Sequence, residues 1–319
     1  MSRVKTSLLI GATGFIGRHL AEHLIKRNQR VIGTYHHKSK IAAFPKQARL
    51  VYCDVSGRND LKRILRKSRA DYVYYLAAQS SVRHAWMKPL ETLEVNFLGG
   101  VRLLEAIREL KQNPRVLIFS SGTTYGLSHS EGRKLDEEAC LRPKDPYSVS
   151  KLALDYFGQL YARAHGMPVV VVRLANLVGP GQSVVFSLTN FVFQIAQAER
   201  NGRTTLDVGN LSSERDYLDV RDGVKAVYLA MQHGKPGEAY NIASGVSRKL
   251  GDVLSQMIRL SRLDPGAVKI KKKAALIPVD EISSIRLDAS KLRRLTGWRP
   301  KISFRQTLLD VLEEWRRKS

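Results

Sequence analysis

The first 175 residues alternate short apolar runs with stretches of helical periodicity. The runs are rich in β-branched residues and continuously apolar, which is typical of strands buried on both faces. Strands are predicted at Ser7–Ile10, Val31–Tyr35, Leu50–Cys53, Asp71–Leu76, Arg115–Ser120 and Val169–Leu174. Helices are predicted between them, notably at Phe15–Asn28, Pro89–Leu110 and Pro146–His165. This alternation predicts an α/β fold in which right-handed crossovers place helices on both faces of a doubly wound parallel sheet.

The alternation stops after about Asn176. A Gly179-Pro180-Gly181 turn leads to a predicted helix near Ser187–Asn201, and an amphipathic helix, Phe304–Arg317, ends the sequence. The pattern predicts a dinucleotide-binding domain over 1–175 and a smaller, mixed substrate domain over 176–319. Whether segments near 219–243 also belong to the first domain is left open.

Composition narrows the class of protein. Hydrophobic residues make up 43% of the 319 residues, as in ordinary globular domains. No apolar run approaches the ~20 residues that span a bilayer, and the first run enters a glycine turn, so neither a membrane span nor a signal peptide is expected. Cys53 and Cys140 are too few for a disulfide framework or a zinc site. A cytoplasmic protein without a bound metal is therefore expected.

The net charge of +24 would suit an anionic partner such as a phosphorylated small molecule, a membrane surface or nucleic acid. The basic residues are spread along the whole chain, and the densest run, Lys269–Lys273, is short. Basic segments lack the interleaved aromatic residues of a single-strand stacking platform. A solvated basic surface is favoured, and nucleic-acid binding is the alternative.

A glycine-rich turn follows the first predicted strand and opens the first helix. It reads Gly11-Ala12-Thr13-Gly14-Phe15-Ile16-Gly17. Glycines allow a tight turn and close backbone approach to a pyrophosphate, whose charge suits the N-terminus of a helix. In this strand–turn–helix context the motif predicts dinucleotide binding.

The end of the second strand indicates which dinucleotide is bound. A carboxylate there would bind the ribose 2′-hydroxyl of NAD, but the chain reads Thr34-Tyr35-His36-His37-Lys38. Three side chains able to carry positive charge favour the 2′-phosphate of NADP, and solvent-facing histidines with loose selectivity are the alternative. Asp54, after the third strand, is a candidate acceptor for the adenine amino group or an ordinary exposed loop aspartate.

Tyr147 and Lys151 are the candidate chemical pair. Asp145-Pro146 predicts a helix start, and a spacing of four places the two side chains on one face. An ammonium beside a phenol is expected to lower the phenol pKa, which suits proton transfer to or from an alcohol or ketone. The alternative is an ordinary pair on an exposed helix.

Taken together these features resemble the extended short-chain dehydrogenase/reductase family, over nearly the whole chain. The matching segments, besides the glycine turn, Tyr147 and Lys151, are Asp54-Val55, Leu76-Ala77-Ala78-Gln79, Val95-Asn96, Ser120-Ser121, Tyr125-Gly126, Asn176, Gly179-Pro180-Gly181, Arg215-Asp216-Tyr217, Asp219-Val220-Arg221-Asp222 and Thr296-Gly297-Trp298. The resemblance implies an NAD(P)-dependent enzyme with a Rossmann-type first domain.

The resemblance also implies roles for individual residues. Catalysis would fall to Ser121, Tyr147 and Lys151, with Lys151 also holding the nicotinamide ribose. Cofactor contacts would come from Gly11, Thr13, Gly14, Phe15, Ile16, Gly17, Tyr35, His36, Lys38, Asp54, Val55, Leu76, Ala77, Ala78, Asn96, Tyr147 and Lys151. Substrate contacts would come from Gln79, Ser81, Ser121, Thr123, Asn176, Gln182, Arg215 and Glu281. For Asn96 a helix-capping or core role is the alternative, and for Arg215 an ion pair with Asp216 or Asp219.

Within the family the sequence is most similar to GDP-mannose-derived enzymes, and especially to GDP-4-keto-6-deoxy-D-mannose reductases, which make GDP-D-rhamnose. Dehydratases of the superfamily carry a glutamate base two residues before the Tyr-Gly pair, where this chain has Thr123. NADPH-dependent reduction of a 4-keto-6-deoxy nucleotide sugar is therefore favoured over dehydration. Pro278 stands where GDP-sugar relatives usually carry an arginine, so the base of the nucleotide stays open.

Three alternatives remain beside the reductase. They are a nucleotide-sugar 4-epimerase, a 4,6-dehydratase, and a non-catalytic cofactor-sensing or RNA-binding member of the fold. The resemblance further implies a homodimer, built through a four-helix bundle from Pro89–Leu110 and Pro146–His165, with a monomer as the alternative.

Overall fold

The computed structural model describes residues 3–38, 41, 43–128, 134–274 and 284–318. The strands are β1 Thr6–Ile10, β2 Arg30–Tyr35, β3 Arg49–Tyr52, β4 Tyr72–Tyr75, β5 Arg115–Ser121, β6 Val169–Leu174, β7 Asn176–Val178, β8 Thr205–Val208, β9 Glu214–Asp219, β10 Ala239–Ile242, β11 Ser247–Lys249, β12 Lys269–Lys272 and β13 Ser284–Ile285. The α-helices are α1 Phe15–Lys26, α2 Arg58–Ser68, α3 Val82–Met87, α4 Pro89–Leu93, α5 Gly99–Glu109, α6 Pro146–His165, α7 Ser187–Asn201, α8 Val220–His233, α9 Leu250–Leu260, α10 Ser290–Thr296 and α11 Phe304–Lys318.

Seven parallel strands form the large sheet, in the order β10-β6-β5-β4-β1-β2-β3. Strands β1 and β6 are buried along their whole length, because both faces of the sheet are covered. Two apolar cores lie on its opposite faces, one including Leu9 and Val172 and the other including Leu8 and Val171. Adjacent residues of one strand thus serve different cores, which explains the continuously apolar runs and confirms the predicted fold class.

The chain order reverses between β1 and β4, which are neighbours in the sheet although β2 and β3 intervene in sequence. The register pairs Leu8 with Val73 and Ile10 with Tyr75. In open parallel sheets, ligands bind beyond the carboxyl ends of the strands at such a reversal. The fold therefore places its binding crevice directly after Ile10 and Tyr75.

The rest of the chain both extends this sheet and forms smaller ones. Strand β10 pairs with β6 at the edge of the large sheet, and α8 packs against α1. Strands β11, β9, β13 and β7 form a second sheet, and β8 pairs with β12. A third apolar core joins α7, α9 and α11.

The predicted helix over Pro89–Leu110 is interrupted. A π-helical turn, Glu94–Leu98, separates α4 from α5. The prediction of one uniform α-helix is wrong at this point, because the turn that contains Asn96 is π-helical. Asn96 lies in the interior and is 0% exposed.

Helices α7 and α6 begin and end at the predicted residues. Short 3-10 turns occupy Gly122–Ser128 and Pro265–Ala267. None of the described helices is long and apolar enough to cross a membrane.

Candidate active site

Gly11 makes the turn that ends β1, at the reversal point of the sheet. Its φ is +86°, and a Cβ there would lie 2.6 Å from the backbone nitrogen of Ala77. The Gly11 N–H donates to Oγ1 of Thr34 at 2.9 Å. Only glycine combines this backbone conformation with so close an approach to the chain that follows β4.

The N-terminus of α1 is open to a ligand. Gly14 is the N-cap residue, no side chain caps it, and the first turn contains no acidic residue. A Cβ on Gly14 would meet only the carbonyl oxygen of Gly11, at 3.5 Å. Uncapped N–H groups and the positive end of the helix dipole therefore face free space, and this arrangement fits the pyrophosphate of a dinucleotide.

Other predicted cofactor positions lie in the glycine turn or follow β3 and β4. Gly17 lies against Ala12, while Val55 is buried against Gly99. Half-buried or buried residues that flank the turn or directly follow β4 are Thr13, Phe15, Ile16, Leu76, Ala77 and Ala78.

The end of β2 carries positive charge and no carboxylate. Tyr35 is half-buried, and His36 and Lys38 are exposed. The His36 ring stacks on Tyr52 at 6.0 Å between centroids. Oδ1 of Asp54, after β3, accepts from the backbone and hydroxyl of Ser56, and these bonds lower the pKa of its carboxyl group.

Asn96 is a buried connector between the chain after β4 and α6. Its Oδ1 accepts from the Gln79 N–H at 2.8 Å, and its Nδ2 donates to the Gln79 carbonyl and to Oγ of Ser150, both at 3.0 Å. These three bonds use the side-chain amide within the protein. The observed contacts therefore match the core alternative, and a cofactor role for Asn96 would act through the elements it holds.

Helix α6 presents Tyr147 and Lys151 as its spacing predicts. Oδ1 of Asp145 accepts from the Ser148 N–H at 2.9 Å, the Ser148 hydroxyl bonds back to the N-cap residue, and Pro146 is the first helical residue. Lys151 is only 4% exposed, and its Nζ donates to the Phe119 carbonyl on β5 at 2.8 Å. The capping motif thus fixes the helix start that sets the height of both side chains above the sheet.

The pKa values of this pair depart from the expectation. Burial raises the pKa of Tyr147 to about 12, against a smaller lowering by its interaction with Ser121. Burial also lowers the pKa of Lys151 to about 8. The expected lowering of the Tyr147 pKa by Lys151 is thus absent in the protein alone, because loss of water outweighs the ammonium and Lys151 points to a β5 carbonyl.

Ser121 stands at the carboxyl end of β5 and interacts with Tyr147. Its Oγ accepts from the Thr123 hydroxyl at 2.9 Å and from the Thr123 N–H at 3.2 Å. With its lone pairs engaged by Thr123, the Ser121 hydroxyl keeps its own proton available for donation. Ser121, Thr123 and Tyr147 form one hydroxyl cluster at the end of the central strand.

Two predicted substrate residues, Gln79 and Ser81, are held within the protein. Oε1 of Gln79 accepts from the Ser81 N–H at 2.5 Å, and its Nε2 donates to Thr92 at 3.1 Å. Oγ of Ser81 caps α3 by accepting from the His84 N–H at 3.2 Å. These contacts shape the loop after β4, and direct contact with a substrate stays a prediction.

The other predicted substrate residues differ in exposure. Asn176 is exposed at the start of β7, and Arg215 is half-buried on β9 with Nη1 donating to the Glu214 carbonyl. Gln182 is 9% exposed, and its amide bonds the Leu177 carbonyl and Oγ1 of Thr189. Its geometry supports the turn rather than a direct ligand contact. Glu281 lies outside the described residues, as does Pro278.

The sequence did not single out Arg18 and His19, which join the two halves of the chain. Arg18 Nη2 contacts the Gly181 carbonyl and His19 Nε2 contacts the Pro180 carbonyl, both at 2.8 Å. Oε2 of Glu314 on α11 accepts from the Gly181 N–H at 2.6 Å. The one feature in the sequence that could have indicated these residues is that both directly follow the glycine turn. Their partners lie over 160 residues away.

Comparison with known proteins gives one family. A family model described as GDP-mannose 4,6 dehydratase matches residues 8–311. GDP-6-deoxy-D-mannose reductase of Pseudomonas aeruginosa is 30% identical over 96% of this chain and 95% of its own length. GDP-mannose 4,6 dehydratase 1 of Arabidopsis thaliana is 27% identical over 97% of this chain and 89% of its own.

Solved structures agree with the fold. RMD from Pseudomonas aeruginosa, complexed with NADPH, matches with a TM-score of 0.84 and 27% identity over 99% of this chain and all of that one. UDP-glucose 4-epimerase of Thermus thermophilus, in complex with NAD, matches with a TM-score of 0.88 and 26% identity over 98% of this chain and 99% of that one. Relatives of this chain thus carry names of reductases, dehydratases and epimerases.

Proposed function

Because this chain belongs to the GDP-mannose 4,6 dehydratase family of NAD(P)-dependent extended short-chain dehydrogenase/reductase enzymes, we propose that it is an NADPH-dependent reductase. Its substrate is the C4 ketone of a nucleotide-linked 4-keto-6-deoxy sugar, with GDP-4-keto-6-deoxy-D-mannose converted to GDP-D-rhamnose. The observation that carries the choice is the Thr123 hydroxyl bonded to Ser121, at the position where superfamily dehydratases carry a glutamate base. A threonine cannot act as a carboxylate base, whereas it can orient the serine that a reductase needs.

The hydroxyl cluster and Lys151 have separate roles in the reduction. A reduced nicotinamide, when bound, supplies the hydride that adds to the C4 carbonyl carbon. Ser121 donates a hydrogen bond to the carbonyl oxygen, and Tyr147 gives its phenolic proton to that oxygen as the carbon–oxygen double bond becomes single. A Tyr147 pKa of about 12 keeps this proton in place at neutral pH. Lys151 contributes positive charge to the developing phenolate, which then regains a proton from solvent.

NADPH is favoured over NADH by the end of β2. His36 and Lys38 are exposed beside the half-buried Tyr35, and Asp54 is bonded to Ser56. A 2′-phosphate gains attraction from the Lys38 ammonium and a hydrogen-bond partner in His36, and it meets no carboxylate from residues 34–38. The NADPH complex of RMD agrees with this preference.

The decisive test offers purified protein both reduced cofactors and a panel of 4-keto-6-deoxy sugars on GDP, dTDP, CDP and UDP. We expect NADPH oxidation with the GDP sugar and a C4 alcohol as product. Conversion of GDP-mannose to a 4-keto sugar without added reductant would instead establish a dehydratase. Epimerisation with tightly retained NAD would establish the epimerase.

Tyr147→Phe tests the proposed mechanism in the same assay. The variant keeps the ring and loses the transferable proton, so turnover should fall by about 10²–10⁴-fold. The NADPH dissociation constant, measured by fluorescence titration, should stay nearly unchanged. Near-wild-type turnover in Tyr147→Phe would contradict the proposed mechanism.

We also propose that the protein is a homodimer formed through α4, α5 and α6. Large apolar side chains stand exposed on or beside these helices, namely Trp86, Met87, Leu90, Leu98, Val149, Tyr156 and Leu160. A patch of this kind on a single chain is typical of an interface. Burial against a second copy would remove these side chains from water.

A further inference from the structure

A cavity of about 250 Å³ lies between α1, α8 and the segment 296–301. Its walls include His23 and Arg27 of α1, Lys225 and Tyr228 of α8, and Arg299. Gly14 caps the other end of α1, so at 1.5 Å per residue the glycine turn is about 20 Å from Arg27. The cavity is therefore separate from the candidate active site.

Basic side chains outnumber acidic ones in the lining of this cavity. Arg27, Lys225, Arg299 and Lys301 all line it. Arg299 and Lys301 are exposed, and no carboxylate among the described residues pairs with either of them. The Arg27 guanidinium lies 5.4 Å from the centroid of the Tyr228 ring, which holds it against the wall. A group of cations around a concave site attracts anions.

Asp222 also lines the cavity, but its charge is already engaged. Its Oδ1 accepts from Lys225 Nζ at 3.0 Å, and its Oδ2 accepts from the N–H groups of Lys301 and Ile302, both at 2.7 Å. These bonds also fix the segment 296–301 against α8. Asp222 thus shapes the cavity and offsets Lys225, leaving Arg27, Arg299 and Lys301 as surplus charge.

His23 adds a polar atom that lacks a partner. Its ring packs edge-on against Tyr228 at 5.3 Å, and its Nε2 is buried without a hydrogen-bond partner among the described residues. Burial, with Arg27, Lys225 and Lys26, lowers the pKa of His23 to about 4. A buried polar atom without a partner is unfavourable in the empty protein, and a ligand in the cavity would satisfy it.

We propose that this cavity binds the phosphate group of a small anionic molecule, held by Arg27, Arg299 and Lys301 with His23 as a hydrogen-bond partner. The volume accommodates a phosphate or diphosphate group and is below the ~300–1,000 Å³ of sites for whole drug-sized ligands. Guanidinium groups suit phosphate because they offer charge-assisted, bidentate hydrogen bonds. Thr296-Gly297-Trp298, which the proposed reaction does not use, forms part of the cavity wall.

His23 provides a local readout that is independent of enzyme activity. NMR titration of the imidazole, assigned with His23→Gln, is carried out with inorganic phosphate, pyrophosphate and a sugar phosphate in turn. We expect a saturable shift of the His23 resonance and a rise of its pKa, because a bound anion favours imidazolium. The probe that acts at the lowest concentration identifies whether a free or a sugar-linked phosphate fits best.

Paired charge variants separate a site from general attraction. Arg299→Ala with Lys301→Ala should weaken pyrophosphate binding by about tenfold or more, through loss of two phosphate contacts. Arg294→Ala with Arg305→Ala removes the same charge from exposed neighbours that do not line the cavity, and should change binding little. Thermal unfolding of both proteins, with and without pyrophosphate, gives an independent measure through ligand-induced stabilisation.

A His23 resonance that fails to saturate with any of the three anions would overturn the proposal. So would equal weakening in the cavity and control variants, because attraction would then come from net charge alone. Both outcomes are independent of which sugar nucleotide the enzyme reduces.

Discussion

Lys151 shows how one buried side chain serves two opposing demands. Its ammonium is 4% exposed and bonded to the Phe119 carbonyl, and burial lowers its pKa to about 8. An unfolded lysine titrates near 10.4. The folded protein therefore carries an unfavourable charge at neutral pH, at the position where the reaction needs one.

Lys151→Met should stabilise the protein while inactivating it. Between about pH 8 and 10 the unfolded chain binds more protons than the folded one, so the wild type gains stability as pH rises. The variant should gain about 1–3 kcal/mol at pH 7, after loss of one hydrogen bond, and little at pH 10. Urea unfolding at both pH values measures this.

Lys269→Met is the control, because Lys269 is exposed on β12. It should show no such difference between the two pH values. Equal stability of Lys151→Met and the wild type at pH 7 would mean that the lysine is not buried as described.

At the scale of elements, the strand β1, its glycine turn and α1 form a unit in which Gly11 and Gly14 have different roles. Gly11 has a positive φ and close backbone neighbours, whereas Gly14 faces open space at the helix start. The same substitution should therefore have different effects at the two positions.

Gly11→Ala should lower stability by about 1–3 kcal/mol, since its Cβ meets the Ala77 nitrogen and its backbone is strained. Gly14→Ala should leave the melting temperature nearly unchanged and weaken NADPH binding, since its methyl group occupies the space beside the helix N-terminus. Thermal unfolding and NADPH titration of both variants distinguish these effects. Similar behaviour of the two would contradict the separate roles.

Sequence patterns predicted this level of structure well where the signal is local. Strand β6 and helices α6 and α7 match their predicted bounds, because the apolar pattern lies within each segment. For α6 the capping residues at its start are local as well. The π-helical turn was missed because such turns are rare and the sequence prediction assumed one regular α-helix over Pro89–Leu110.

Features that depend on distant partners could not be predicted in the same way. The raised pKa of Tyr147 follows from its burial in the folded chain. The bonds of Arg18 and His19 join residues more than 160 positions apart. The cavity cations, too, come from three separate segments of the sequence.

At the scale of the whole molecule, the proposed dimer depends on apolar side chains of α6. Tyr156 is 52% exposed and Leu160 is 47% exposed, one helical turn apart on the surface. Tyr156→Glu with Leu160→Glu should shift the protein from dimer to monomer, because an interface cannot bury unpaired carboxylates cheaply. Sedimentation equilibrium measures the shift.

Leu127→Glu with Val246→Glu is the matched control for that variant. Both side chains are exposed and apolar, at 53% and 46%, and lie outside the three helices. This control should remain dimeric. A wild-type protein that is monomeric at micromolar concentration would remove the dimer proposal altogether.

The bonds from Arg18, His19 and Glu314 to the Gly179–Gly181 turn have a thermodynamic consequence for ligand binding. Helix α1 would receive the cofactor phosphates, and the turn directly follows β7, which begins with the predicted substrate contact Asn176. If binding of the first ligand orders these bonds, the second ligand binds without the free-energy cost of ordering them. Linkage then demands reciprocity: the factor by which NADPH raises affinity for the nucleotide sugar equals the factor by which the sugar raises affinity for NADPH.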